Sequence, residues 1–168
     1  MESLPHFEST APSSNPTFDR ANQALQRIFD EVQPNDICPI LPFSAPKPKL
    51  GDQLLAEYIT EIESTWAVDS GNFLYAHEND PLGLYRSIVK INDERKAAFQ
   101  PLGGSLLIVS PTGSKMLGIG ALMAALDRDL PIYYVEARAY DVDWSSAQKE
   151  LALEVAIRHV WLAGEVYV

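Results

Sequence analysis

The chain has 168 residues, 46% of them hydrophobic, enough for one domain with a sizeable core and calling for no second. A formal charge of −10 at pH 7 excludes an extended DNA or RNA groove, whose basic face must neutralise many phosphates, yet admits one small phosphate-bearing ligand. Cys38 is the single cysteine, so no internal disulfide or cysteine-cluster metal site forms; with no run of roughly 18–20 apolar residues and no basic-then-apolar leader, a cytoplasmic protein without membrane span, metal or cofactor is expected.

Residues 1–15, rich in Ser, Pro and Glu, read as a flexible tail and leave 16–168 as the folded domain. From Thr17 to Val32, Phe18, Ala21, Leu25, Ile28, Phe29 and Val32 recur at helical spacing, and Pro34 stops the run. Asp36 to Phe43 is β-like, but Pro39 and Pro42 lack the N–H of a central strand, so an edge or irregular strand is predicted. The loop from Ser44 to Lys49 is stiff and locally basic; Lys47 and Lys49 face either an anionic ligand or solvent. Leu50 to Trp66 predicts one amphipathic helix with Leu54, Leu55, Tyr58, Ile59, Ile62 and Trp66 inside. Gly71 to His77 is a short strand whose terminal His77, beside Glu78 and Asp80, is either a proton shuttle or a plain loop histidine. Asp80 and Pro81 combine an N-cap with a first-turn proline, predicting a helix to about Phe99 with Leu84, Tyr85, Ile88, Val89 and Ile91 on its inner face.

Leu106 to Val109 is a continuous apolar run that predicts a central strand covered on both faces. A polar loop, Ser110 to Lys115, separates it from an apolar segment of helical length, which places the loop at a strand's carboxyl end, where open α/β sheets bind ligands. Ser110, Thr112 or Ser114 caps the helix, Gly113 lets the backbone approach a bound group, the free N–H groups attract anions, and Lys115 supplies a full positive charge. The same letters also describe a capped helix beside a solvated lysine, and both readings stand at this point. Neither the phosphate loop of nucleoside triphosphatases nor the G-x-G-x-x-G fingerprint matches: the lysine lies two residues after a lone glycine, and Gly118 and Gly120 fall inside the helix, where they are expected to allow close packing on the sheet. Pro131 to Glu136 is another strand, whose terminal Glu136 either lines the same crevice as Thr112 and Lys115 or is an ordinary strand-end acid, and Ser145 caps a last helix to about His159. Strict alternation of helix and strand predicts an α/β fold: a Rossmann-like three-layer domain with a mainly parallel central sheet and helices on both faces.

The run from Asp80 to Tyr140 resembles the second half of the CRISPR-associated Rossmann-fold (CARF) domain, the sensor module that binds cyclic oligoadenylates. That family orders a helix, a hydrophobic strand, a T-G-G-T-K-x-M loop, a small-residue-rich helix and a strand ending near Y-V-E/D. Here Gly113, Ser114 and Lys115 match the loop in kind, Pro111 and Thr112 replace its leading Thr and Gly, Leu117 replaces its Met, and Tyr133 to Glu136 match the strand. Ser44 stands nearest to the serine-containing loop that follows the family's first strand. The resemblance implies a cyclic oligoadenylate sensor of type III CRISPR antiviral defence that binds its ligand through Ser44, Thr112, Gly113, Ser114, Lys115 and Glu136, with no metal and no cofactor. It implies a homodimer whose two loops share one symmetric ring, either a stand-alone sensor or a subunit working with a separate effector protein. It also accommodates a stand-alone, metal-independent ring nuclease with Lys115 and Ser114 as its catalytic groups. Two readings of other classes stay open: a Rossmann-like enzyme acting on a mononucleotide or small phosphorylated substrate, and a non-catalytic interaction subunit.

Overall fold

The computed structural model describes residues 25–44, 48–134 and 144. The predicted tail, the start of the first helix at Thr17 and the last helix from Ser145 lie outside them. Residues 25–32 are helical (α1), and Gln33, at φ +45°, closes the helix by donating its N–H to the Phe29 carbonyl at 2.8 Å.

β1 (Ile40–Phe43) pairs in parallel with β2 (Leu74–His77), in the register Ile40 with Leu74 and Phe43 with His77. The prolines do not make this segment irregular. The Pro39 carbonyl accepts the Leu74 N–H at 3.0 Å and the Phe43 carbonyl accepts the Glu78 N–H at 2.9 Å, so neither bond draws on the missing donors. α2 (Leu50–Glu57) lies on the face carrying Leu41 and Tyr75: a methyl group at Gly51 would come within 2.9 Å of the Tyr75 ring and 3.0 Å of the Pro42 carbonyl oxygen. The predicted single helix to Trp66 is broken in two. α2 ends at Glu57, and Glu61–Thr65 winds as a π-helix, which puts Ile62 into the interior and stacks Trp66 on Tyr58 with ring centroids 6.4 Å apart. Ile59, Thr60, Ile62 and Thr65 are β-branched and give this segment little propensity for a regular α-helix.

α3 (Pro81–Phe99) follows the prediction closely. The Asp80 carboxylate accepts the Gly83 N–H at 2.8 Å, Pro81 occupies the first turn, and Leu84, Tyr85 and Ile88 are buried. Asn92, a polar residue on the same inner face, is buried with them; its Nδ2 donates to Asp93 at 2.9 Å. A 3₁₀ turn, Gln100–Leu102, then meets Gly103 and Gly104, both left-handed at φ +99° and +100°. The Gly104 N–H returns to the Phe99 carbonyl at 2.9 Å and caps the helix.

α4 (Lys115–Arg128) packs along α3 through its small side chains Ala121, Ala124 and Ala125. Gly120 is what lets the two helices approach. A Cβ there would collide with the Pro81 carbonyl oxygen and lie 3.0 Å from the Pro81 carbonyl carbon, whereas a Cβ at Gly118 meets nothing within 4 Å. The close approach these glycines were expected to give toward the sheet is therefore one glycine's approach to the first residue of α3. A polar seam runs along the other end of the helix pair. The Arg128 guanidinium donates to both Asp93 oxygens at 3.1 Å, holding that carboxyl below the usual carboxylate range, and to Asp127 at 2.5 Å. The Tyr85 hydroxyl donates to Asp127 at 3.0 Å.

Val109 pairs in parallel with Ile132: its N–H reaches the Pro131 carbonyl and its carbonyl accepts the Tyr133 N–H, both at 2.9 Å. Leu107 and Val109 join the core with Ala76, Leu84 and Leu117. Leu106, however, is 68% exposed, so the run is not covered on both faces, and among the described residues only Val109 of this run makes a ladder pair. The chain is thus a mixed α/β protein whose strands pair in parallel. No helix among the described residues is long and apolar enough to cross a membrane.

Candidate ligand-binding cleft

The loop after Val109 feeds directly into α4. Ser114, extended at φ −64° and ψ 153°, is the N-cap: its Oγ accepts the Leu117 N–H at 3.3 Å, which leaves the hydroxyl proton to donate elsewhere. Helix geometry leaves the Lys115 and Met116 N–H groups without an intrahelical acceptor, and the macrodipole adds partial positive charge at this end. Lys115 is exposed and follows the cap, so its ammonium joins the same end of the helix.

Beside this helix start lies a cleft of about 360 Å³ lined by Pro111, Gly113, Ser114, Lys115, Gly118, Leu122, Ile132 and Tyr134. Lys115, Gly118 and Leu122 fall on one side of α4 because they are three and four residues apart; Ile132, bridged to Val109, and Tyr134, two residues on, line the same cleft. The cleft therefore has two chemically distinct ends. One holds a lysine, a serine hydroxyl and free amides. The other holds Leu122 and Ile132, each 38% exposed, and Tyr134, 66% exposed. Gly118, with no side chain, leaves the floor between them open. Such a site suits an anionic group attached to a flat, apolar ring.

Of the residues singled out in the sequence, Gly113, Ser114 and Lys115 meet in this cleft. Thr112 is exposed in the same loop but does not line it. Ser44 is buried at 6% exposure beyond β1, on the other parallel pair, and does not line it either. Glu136 and Lys47 lie outside the described residues, and Lys49 is exposed just before α2. Ser110 is not the cap; its hydroxyl is buried with no partner among the described residues. His77 accepts the Asn79 N–H on Nδ1 at 3.2 Å and meets Phe43 edge-on, which makes it a turn-shaping residue at the end of β2. Sequence reasoning missed Gly118, Leu122, Ile132 and Tyr134, although stepping by three and seven from Lys115 along the helix, and by two along the last strand, selects them.

A second cleft, about 210 Å³, opens at the amino ends of β1 and β2. Its polar groups satisfy one another: Asp36 accepts from Asn72 at 2.6 Å and from Arg95 at 2.7 Å. Cys38 lines it, and burial, reinforced by Asp36, pushes its thiol up, so the reactive thiolate is disfavoured. Among the described residues, no group of three or more His, Cys, Asp or Glu is placed to hold a metal ion. Comparison with models of known families, with curated proteins and with solved structures returns no match.

Proposed function

We propose that the chain is a CARF-like sensor with a three-layer Rossmann-like fold, and that its cleft at the start of α4 binds a cyclic oligoadenylate. The observation that carries this reading is that Gly113, Ser114 and Lys115 line one cleft beside the parallel bridge of Val109 with Ile132. These are the three residues that match the family's loop in kind. A phosphodiester there takes a charge-assisted bond from Lys115 and hydrogen bonds from the Ser114 hydroxyl and the first-turn amides. One lysine per phosphate suffices even on a chain of net charge −10, because the ligand offers few charges.

The cleft volume sits at the low end of the roughly 300–1,000 Å³ of small-molecule sites, enough for one nucleoside phosphate. A ring of four or six units then needs two clefts related by a two-fold axis, so the reading includes a homodimer, and a separate effector to receive the signal. The same volume favours, as second reading, an enzyme acting on a mononucleotide. If the ring is cleaved, the ribose 2′-hydroxyl loses its proton to water as its oxygen attacks the adjacent 3′-phosphorus, the bond to the 5′-oxygen breaks, and that oxygen takes a proton from water, leaving a 2′,3′-cyclic phosphate and a 5′-hydroxyl. Lys115 and Ser114 would stabilise the charge that develops on the phosphate oxygens.

The test is calorimetric titration of the full chain with cyclic tetra-adenylate, cyclic hexa-adenylate and AMP. Cyclic ligands are expected to bind, and Lys115→Ala to weaken them by about 1.5–3 kcal/mol without altering the fold. No binding of either ring, or rings that bind equally well to Lys115→Ala, would refute the reading; AMP alone binding would select the mononucleotide enzyme.

A further inference from the structure

On the reading just proposed, which supplies the anion end of the cleft, we infer that Tyr134, Ile132 and Leu122 form the nucleobase wall, and that this wall makes the site prefer a nucleotide over a bare anion. Three large apolar side chains, 66%, 38% and 38% exposed, converge on one concavity, where scattered surface residues would stand singly. Their positions match the ligand's own geometry. Lys115 and Leu122 are seven residues apart on α4, about 10 Å along its axis, which is the reach of a nucleotide from phosphate to the outer edge of its base. Gly118 lies between them, and no described residue outside its own helix comes within 4 Å of the position its Cβ would take, which leaves room there for the sugar.

The chemistry is divided accordingly. The polar end offers N–H, O–H and ammonium donors, which suit phosphate oxygens. The far wall offers a phenol ring and two branched side chains, which suit the face of a base. Base–aromatic stacking tolerates any sequence because every base has a π-face, so Tyr134 contributes affinity and leaves base identity to other groups. The wall also belongs to two elements, α4 and the strand after it, so a base placed there bridges the helix and the strand.

The experiment compares cyclic tetra-adenylate with inorganic pyrophosphate, an anion with no ring, on the full chain and on Tyr134→Ala, Tyr134→Phe and Lys115→Ala. Tyr134 is exposed enough for its replacement to leave the fold intact, which circular dichroism verifies. Expected is a roughly tenfold or larger loss of cyclic tetra-adenylate affinity in Tyr134→Ala, retention in Tyr134→Phe, and unchanged pyrophosphate binding in both. Lys115→Ala should weaken both ligands. If Tyr134→Ala binds the ring as wild type does while Lys115→Ala does not, the base lies elsewhere and this inference fails while the site stands. If Tyr134→Ala loses pyrophosphate as well, Tyr134 supports the loop and not the base, which also overturns it. If neither ligand binds the wild-type chain, the site reading itself falls.

Discussion

Gly120 and Gly118 sit two residues apart in α4, and adding one methyl group to each should move stability in opposite directions. Both substitutions to alanine improve helix propensity by the same amount, about 1 kcal/mol. At Gly118 no described residue outside the helix comes within 4 Å of the new Cβ, so Gly118→Ala should stabilise by up to about 1 kcal/mol. At Gly120 the new Cβ strikes the Pro81 carbonyl oxygen and approaches the Pro81 Cα to 3.1 Å. That obstacle is backbone, in the first turn of α3, anchored by the Asp80 cap, so no rotamer change relieves it. Overpacking a dense core costs about 1–3 kcal/mol, and a backbone obstacle puts this site at the upper end; subtracting the propensity gain leaves a net loss of about 2 kcal/mol. In a chain of this size that is about 4–8 °C in melting temperature. Urea unfolding followed by far-ultraviolet circular dichroism would show the midpoint falling for Gly120→Ala and rising for Gly118→Ala at constant slope. Midpoints that shift together, in either direction, would refute the helix contact as drawn.

Three further outcomes are expected. Ser114→Ala should cost about 1 kcal/mol of stability through loss of the cap, whereas Ser114→Asp should keep the stability and repel phosphate, so unfolding and ligand titration on the two variants separate the roles. Asp93 has a folded-state pKa lowered by Arg128, so it contributes stability above the usual carboxylate range and loses it as pH falls through the lowered value; the gap between wild type and Asp93→Asn should be flat from about pH 7 to 5 and close at more acid pH, and a gap that widens there would contradict the ion pair. Light scattering should show a dimer in the presence of cyclic tetra-adenylate, and a monomer mass both with and without it would remove the shared-ring arrangement.

What the sequence disclosed was mostly local. The Asp80 cap with Pro81 and the inner face of α3 each depend on residues within a turn of one another, and each was legible; the cap of α4 was narrowed to Ser110, Thr112 or Ser114, of which the structure uses Ser114. The loop of Gly113 to Lys115 was legible as the turn that opens α4, for the same reason. What needed the third dimension was hidden: the exposure of Leu106, the break of the Leu50 to Trp66 segment into α2 and a π-helix, and the burial of Asn92. Gly120 was legible as a small residue inside a helix, but its partner, Pro81, lies 39 residues away, and spacing along one helix says nothing of that. Tyr134 was read as part of a strand and Leu122 only as part of an apolar helix, and the juxtaposition of α4 with the segment after it makes them walls of one cleft.

The turn between α3 and the Leu106 run carries an implication about handedness. Gly103 and Gly104 both hold φ near +100°, yet a Cβ at either would meet nothing within 4 Å. Space is therefore not what these positions require; an achiral residue is. An L-alanine there would be strained in an otherwise open setting, while a D-alanine, for which positive φ is the ordinary state, would carry no such strain. A semisynthetic chain with D-alanine at 103 or 104 should fold to the same structure and unfold at higher temperature, because its unfolded state has fewer conformations to gain.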